Sequence, residues 1–428
     1  MIKHNVLLLG SGGRENALAW KINQSALLEK LYVAPGNAGT GLIAENVEID
    51  PEDFDVVASF AIENKITMLV VGPEAPLVKG IYDYFQTKEN LKHILVIGPS
   101  KQAAMLEGSK DFAKDFMLKY NIPTARNKTF SQENFDDGVA YLKQAKPPYV
   151  LKADGLAAGK GVVILDDLND AINCLTDMLL NKRFGNASEK VLIEDFLKGI
   201  ELSVFVITNG KDYLILPEAK DYKRIGEGDT GNNTGGMGSV SPVSFADNDF
   251  MNNVEEKIIK PTINGIKNEK LDYKGFIFFG LINCDGEPFV IEYNVRMGDP
   301  EAESIIPRIE SDIIEIFESI YNGSLSEIKL KVSESYCTSV MLVAAGYPDA
   351  YKKGDIIHGL ENISDALIFH AGSNFDELGN IITSGGRVMT VTAMADNKDN
   401  ALNKCFDSIK KIHFDGMYYR KDIGFDLK

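Results

Sequence analysis

The sequence predicts a multidomain protein of mixed α/β and α+β class, with a parallel-sheet domain at its N-terminus. Three observations point there. The chain has 428 residues and 44% apolar content, enough for several cores and, by length, about three domains. Apolar strand patterns alternate with helical ones over residues 1–122, which calls for right-handed βαβ units and a parallel sheet. After that, over 123–428, hairpin patterns interleave with helices, the mark of α+β architecture.

"NVLLLG" opens the chain as a buried strand, followed by a glycine turn and the helical run Glu15 to Asn23. "KLYVAPGN", "MLVVGPEAPL" and "ILVIGPS" are further strands, with helical patterns at about 52–64, 76–87 and 100–120. Ligands of such sheets sit at the carboxyl ends of the strands. The glycines of "GSGGRE", "PGNAG" and "GPEAP" are therefore expected along one edge. Residues 123–190 read as hairpins plus helices, and 191–326 as a strand-rich segment closed by a helix at 301–322. Residues 327–428, with short strands and a helix at 398–411, read as a small α+β domain.

Net charge is −17 and the sequence pI is about 4.9, which argues against nucleic-acid and acidic-membrane partners. Cys174, Cys284, Cys337 and Cys405 lie far apart, so reduced thiols are expected rather than a disulfide framework or zinc ribbon. No apolar run approaches the ~18 residues of a membrane span, and the first residues lack a signal-peptide pattern. A cytoplasmic chain is expected.

"VLKADGLAAGKGVVIL", residues 150–165, invites a P-loop reading that fails. That motif needs Gly at 154 and Ser or Thr at 161, where the chain has Asp154 and Gly161. A strand follows instead of a helix. Such a strand–loop–strand hairpin can lay N–H groups over phosphates but cannot set a helix N-terminus beneath them. In "GSGGREN", Gly10 and Gly12 fit a dinucleotide fingerprint, but Glu15 stands at the third glycine position. NAD is disfavoured. A helix start with Gly13 and Arg14 could hold one phosphate or simply form a tight turn.

In "FIFFGLINCDGEPFVIEYNVR", strand alternation puts Glu292, Asn294 and Arg296 on one face and Ile291, Tyr293 and Val295 on the other. A carboxylate beside an amide oxygen suits Mg²⁺, which takes few protein ligands. Arg296 adds a planar fork for an oxyanion. A solvated strand face with a salt bridge is the competing reading. The "MGDPE" that follows, with Asp299 and Glu301 at a turn, favours a metal–phosphate site. "EDFLKGIELSV" could offer backbone groups to an adenine edge and Glu201 to a ribose, or be a solvated strand end. "KDYKRIGEGDTGNNTGGMGSVSP" reads as an anion-binding lid or as disorder. Lys110 in "EGSKDF" could simply start a solvated helix. The five histidines match no Ser-His-Asp or zinc spacing.

Together these segments resemble the phosphoribosylamine–glycine ligase (glycinamide ribonucleotide synthetase) family of the ATP-grasp superfamily. "LLGSGGREN", "VGPEAPLVKG", "LEGSKDF", "ADGLAAGKG", "TGGMG", "EYNVRMGDPE" and "YRKDIG" occur in family order over essentially the whole chain. The resemblance implies a Rossmann-like (pre-ATP-grasp) substrate domain at 1–122 and an ATP-grasp domain in two parts. These would be a lid at 123–190 and a larger half with the metal site at 191–326, before a C-terminal α+β domain at 327–428.

It also implies a reaction: ATP, glycine and 5-phosphoribosylamine give glycinamide ribonucleotide, ADP and phosphate, with Mg²⁺ or Mn²⁺. Lys110, Lys152 and the loop holding Gly155, Gly159, Lys160 and Gly161 would take the ATP phosphates. Glu194, Phe196 and Leu197 would bind adenine, and Glu201 the ribose. Glu292 and Asn294 would bind the metal. Arg296 would steady an acyl phosphate, and Lys223 and Asp299 would act beside it. Gly13, Arg14, Asn37, Glu74 and Asp221 would hold the substrates. A monomer is expected, with loops 155–161 and 226–238 mobile without ligand. The chain departs from the family pattern at Asn16 and Tyr222, where histidine is usual, and at Asn232, where proline is common. An ATP-grasp enzyme for another carboxylate, a nicotinamide-dependent reductase and an inactive nucleotide-binding module are the competing readings.

Overall fold

The computed structural model describes residues 3–157 and 160–427. Strands β1 (His4–Gly10), β2 (Leu28–Pro35), β3 (Glu45–Asn46), β4 (Met68–Val71) and β5 (Leu95–Ile97) form one parallel sheet, ordered β3-β2-β1-β4-β5. The chain leaves β1 toward one edge and returns to its other side at β4. The carboxyl end of β1 is thus the switch point where such sheets open a crevice. Helix α1 (Gly13–Ile22) starts there.

Several expected helices are interrupted. The 76–87 run breaks at Gly80, whose φ of 97° ends one helix and starts the next. The 100–120 run breaks at Ser109, whose side chain caps the Phe112 N–H. The 301–322 run becomes Glu301–Ile305, a short 3₁₀ turn through Pro307, and Ile313–Asn322 capped by Asp312. Local caps override the continuous apolar period in each case.

β6 (Asn127–Ser131), β7 (Tyr149–Ala153), β8 (Val162–Leu165) and β9 (Lys190–Glu194) form an antiparallel sheet ordered β6-β9-β7-β8. It has its own core with two helices, built on Phe130, Leu142, Leu151, Leu175 and Ile193. β10 (Ile200–Thr208), β11 (Tyr213–Ile215), β16 (Gly275–Cys284) and β17 (Glu287–Asn294) form another, ordered β11-β10-β16-β17. Between β11 and β16 lie β12 (Lys220–Asp221), β13 (Arg224–Gly226), β14 (Thr230–Asn233) and β15 (Gly238–Ser241). The C-terminal part adds β18 (Tyr336–Val343), β19 (Leu367–His370), β20 (Ser373–Phe375), β21 (Ile381–Thr383) and β22 (Arg387–Ala395).

Cores and sheets run across the connection at 326. β12 and β15 pair into the C-terminal sheet, ordered β12-β15-β18-β22-β19. Ile305 and Phe317 pack with Leu8 and Val70 of the N-terminal sheet and with Phe278. On its other face, Leu7 and Leu9 share a core with Val204, Phe279 and Tyr293.

The N-terminal and C-terminal parts meet at His370. Its N–H donates to Asn16 Oδ1 at 2.7 Å, and its carbonyl accepts from Asn37 Nδ2 at 2.7 Å. Asn16, where the family pattern has histidine, thus acts as a neutral acceptor between domains. The His370 ring is buried beside Ser373 Oγ, and burial pushes its pKa down to about 4. The folded state therefore resists protonation that the unfolded chain accepts near its ordinary value. The associated stability is complete above pH ~6.5 and lost as pH falls toward the folded value, a difference of about 3 kcal/mol. Denaturant midpoints measured in neutral and acidic buffer are expected to show His370→Gln losing less stability than wild type on acidification, by about that amount.

Candidate active site

The register of β16 against β17 shifts where Gly280 pairs with Glu292 and Leu281 with Val290, leaving Ile291 as an extra residue. This bulge corrects the expected faces. Val290, Tyr293 and Val295 share the core, while Ile291 is only half-buried. The simple alternation is broken by one residue, so Ile291 leaves the apolar set. Its carbonyl accepts from Lys152 Nζ at 3.3 Å, joining the β7–β8 hairpin to the metal-candidate strand. Glu292, Asn294 and Arg296 keep a common face, with Arg296 Nη2 donating to Asn294 Oδ1 at 3.3 Å. Gly280 leaves room for Glu292, since a Cβ there would lie 3.0 Å from its Cγ.

The cations gather beside this strand. Lys152 Nζ is 3.0 Å and Lys114 Nζ 3.3 Å from Glu194 Oε2, all deeply buried. Lys110 Nζ lies 3.4 Å from Asp154 O and 3.3 Å from Gly155 O. Burial lowers the pKa of Lys110 against the pull of Glu292, and pushes Lys114 down to about 8. Lys114 is absent from the sequence-based assignment, although four residues from Lys110 on one helix face was a usable signal. Glu194 Oε1 is buried without a hydrogen-bond partner among the described residues. Phe196 and Ile200 stand exposed beyond it, with Leu197 half-buried between them. In the hairpin, Gly155 N–H donates to Ala187 O and Gly161 O accepts from Ala153 N–H. Lys160 is exposed, and Gly159 lies outside the described residues.

Glu201 Oε2 sits 2.6 Å from Lys223 Nζ, which holds its carboxyl below the usual range. Asp221 is buried beside them, and desolvation raises its pKa. The 226–238 segment, expected as an anion-binding lid or as disorder, contains the β13–β14 hairpin with Gly228 and Gly231 at positive φ. Buried Arg420 secures it, reaching Asp229, 191 residues away in sequence, at 2.7 Å and its near neighbour Asp422 at 2.8 Å. Tyr222 is buried too and donates to Asp426 at 2.8 Å, so it acts as a packing group there.

On the substrate side, Glu15 fills the start of α1. Its Oε2 accepts Gly12 N–H at 2.6 Å and its Oε1 accepts from Arg14 Nε at 2.5 Å. A Cβ on Gly72 would lie 2.1 Å from that Oε1. A carboxylate therefore stands where a dinucleotide pyrophosphate would need to rest, against the nicotinamide reading. Asp299 Oδ2 accepts Arg14 N–H at 3.3 Å. Gly13 is pressed against Glu303, since a Cβ there would meet Oε1 at 2.2 Å. Gly13 is thus a close-packing position. Asn37 caps Thr40 N–H and donates to Ser11 O at 2.9 Å, so its amide is engaged within the protein.

Arg296 lies 2.8 Å from Glu107 and 3.5 Å from Glu74. Arg387, from the C-terminal sheet, reaches Asp299 Oδ1 at 2.9 Å and Gly235 O at 2.7 Å. Glu303 is fully buried, both oxygens lack hydrogen-bond partners among the described residues, and burial raises its pKa well above the ordinary value. Glu107, Arg387 and Glu303 are further residues that sequence reasoning missed. The structure brings Lys110, Lys152, Glu194 and Glu292 into one cluster, and Arg14, Glu74, Arg296 and Asp299 into a second, both bordering the carboxyl end of β17.

Family models for phosphoribosylglycinamide synthetase match nearly the whole chain: the N domain over 4–107, the ATP-grasp (A) domain over 108–302 and the C domain over 337–426. The chain belongs to the phosphoribosylglycinamide synthetase family. Among relatives named phosphoribosylamine–glycine ligase, one from Caldanaerobacter subterraneus is 44% identical over 98% of this chain and 99% of its own length. Another from Escherichia coli O157:H7 is 43% identical over 98% of this chain and 97% of its own. The crystal structure of phosphoribosylamine–glycine ligase from Thermotoga maritima superposes with a TM-score of 0.85 at 36% identity, covering 98% of this chain and 100% of that one. A biotin carboxylase from Campylobacter jejuni, at 15% identity and TM-score 0.73, shares the fold. This phosphoribosylglycinamide synthetase-family chain is therefore an α/β and α+β multidomain protein, as its sequence predicts.

Gly13→Ala is expected to destabilise the protein by about 1–3 kcal/mol, read as a lower denaturant midpoint. Adding Glu303→Ala, which removes the obstructing carboxyl, is expected to recover part of that loss.

Proposed function

We propose that this chain catalyses the ATP-dependent joining of glycine to 5-phosphoribosylamine, giving glycinamide ribonucleotide, ADP and phosphate, the second step of de novo purine synthesis. Near-complete alignment at 44% identity with a relative of that activity carries the reading. The paired clusters along β17 support it.

In this reading, Lys110, Lys152 and the hairpin backbone around Gly155 and Gly161 hold the ATP phosphates. Glu194, Phe196 and Leu197 border the base. Glu201 takes the ribose when Lys223 releases it. The oxygens of Glu292 and Asn294 fit Mg²⁺ or Mn²⁺, ions that accept few protein ligands. When bound, the ion neutralises charge on the transferring phosphoryl group. The glycine carboxylate accepts the γ-phosphoryl group and ADP leaves. The amine of phosphoribosylamine then attacks the acyl carbon, and phosphate departs. Arg296 faces the developing charge, with Lys223 and Asp299 beside it. Arg14, Glu74 and Asp221, with the backbone near Gly13 and Asn37, border the substrates. Positioning and fixed charge supply the catalysis, and no enzyme nucleophile is required.

No helix among the described residues is long and apolar enough to cross a membrane. We place the protein in the cytoplasm as a monomer, with no nucleic-acid partner. Purified chain with Mg²⁺ is expected to release ADP only when ATP, glycine and phosphoribosylamine are all present. Equal release with glycine omitted would sink the assignment. Glu292→Ala is expected to lower turnover at least about 100-fold while the thermal midpoint hardly moves; near-normal activity would refute the metal role.

A further inference from the structure

Glu107 lies near the end of the helix Lys101–Gly108 and is 7% exposed. Both its carboxylate oxygens are engaged by one short stretch of chain. Oε1 faces Arg296 Nη2 at 2.8 Å, and Oε2 accepts Val295 N–H at 2.8 Å. Val295 stands between Asn294 and Arg296, so one buried carboxylate fixes the backbone and the guanidinium at the end of β17. Glu74, on the same guanidinium, is farther away at 3.5 Å and more exposed, 32% against 5% for the Glu107 side chain. Two charge-assisted bonds in a buried setting leave Glu107 little freedom, whereas Glu74 can turn toward a ligand.

The same helix break also reaches the other cluster. Ser109 Oγ donates to Asp154 Oδ1 at 2.9 Å, and Lys110 follows directly. Glu107 therefore stands where the arginine cluster and the lysine cluster join.

We infer that Glu107 is a positioning residue for the acyl-transfer reaction: it aims Arg296 and acts only through it. This rests on the proposed function above. A freely rotating arginine would meet the developing charge in few of its rotamers, so fixing it raises turnover more than substrate affinity. A merely structural Glu107 would lower stability and leave turnover per folded molecule unchanged.

The test is a double-mutant cycle in the full chain, with Glu107→Gln and Arg296→Gln singly and together. It reads kcat, KM for ATP and for glycine, and thermal midpoint. Gln keeps an acceptor for Val295 N–H but turns an amide toward Arg296. With Arg296 intact, kcat is expected to fall about tenfold or more with KM for ATP within about twofold. In the Arg296→Gln background the same change is expected to have less than about twofold effect. Equal losses in both backgrounds, or an unchanged kcat with Arg296 present, would overturn the role. Glu107→Asp, which keeps the charge but withdraws it by one methylene, guards against a folding failure of Glu107→Gln. It is expected to show the same coupling, and a change in thermal midpoint alone would overturn the role. Wild-type turnover is read first. Its absence removes the reaction and this role together, whereas an additive cycle in an active enzyme removes only the role.

Discussion

The bulge at Ile291 sets the direction of everything that follows it on β17. One extra residue lets Val290, Tyr293 and Val295 all enter the core, so the strand end is anchored by apolar burial. The freed Ile291 carbonyl meets Lys152 from another sheet. Glu292, Asn294 and Arg296 are left along one face at the carboxyl end of the N-terminal sheet. Without the bulge, simple alternation would put Ile291 in the core and Val290 on the polar face, and the Ile291 carbonyl would stay in the ladder instead of meeting Lys152.

Around that strand, an acidic chain builds local cationic sites. Lys110, Lys114 and Lys152 converge near Glu194, and Arg14, Arg296 and Arg387 near Glu74, Glu107 and Asp299. Each buried cation has a nearby carboxylate or carbonyl, as burial of charge requires. These contacts differ in how firmly they hold. Glu107 has two short bonds, while the Lys223–Glu201 pair is nearly half exposed. A site of this kind holds some groups rigid and leaves others free to exchange a protein partner for a ligand.

Much of the candidate site was legible because strand alternation is local. Glu292, Asn294 and Arg296 share a face in the structure as their spacing requires. The β7–β8 hairpin formed where a glycine loop separated two β-branched runs. Helix limits were less legible, because single caps at Gly80, Ser109 and Asp312 broke periods that looked continuous. The β13–β14 hairpin is not legible locally, because Arg420, which secures it through Asp229, lies far along the chain.

The sequence by itself determined the fold class, the parallel N-terminal sheet and the family, because these follow from local periodicity and from motifs in a fixed order. Only the tertiary structure decided which carboxylate faces which cation. It made Glu15 the occupant of the α1 start, Gly13 a close-packing point against Glu303, and Glu107 and Arg387 neighbours of Arg296 and Asp299. Such pairings depend on distances between elements remote in sequence, which no local pattern encodes.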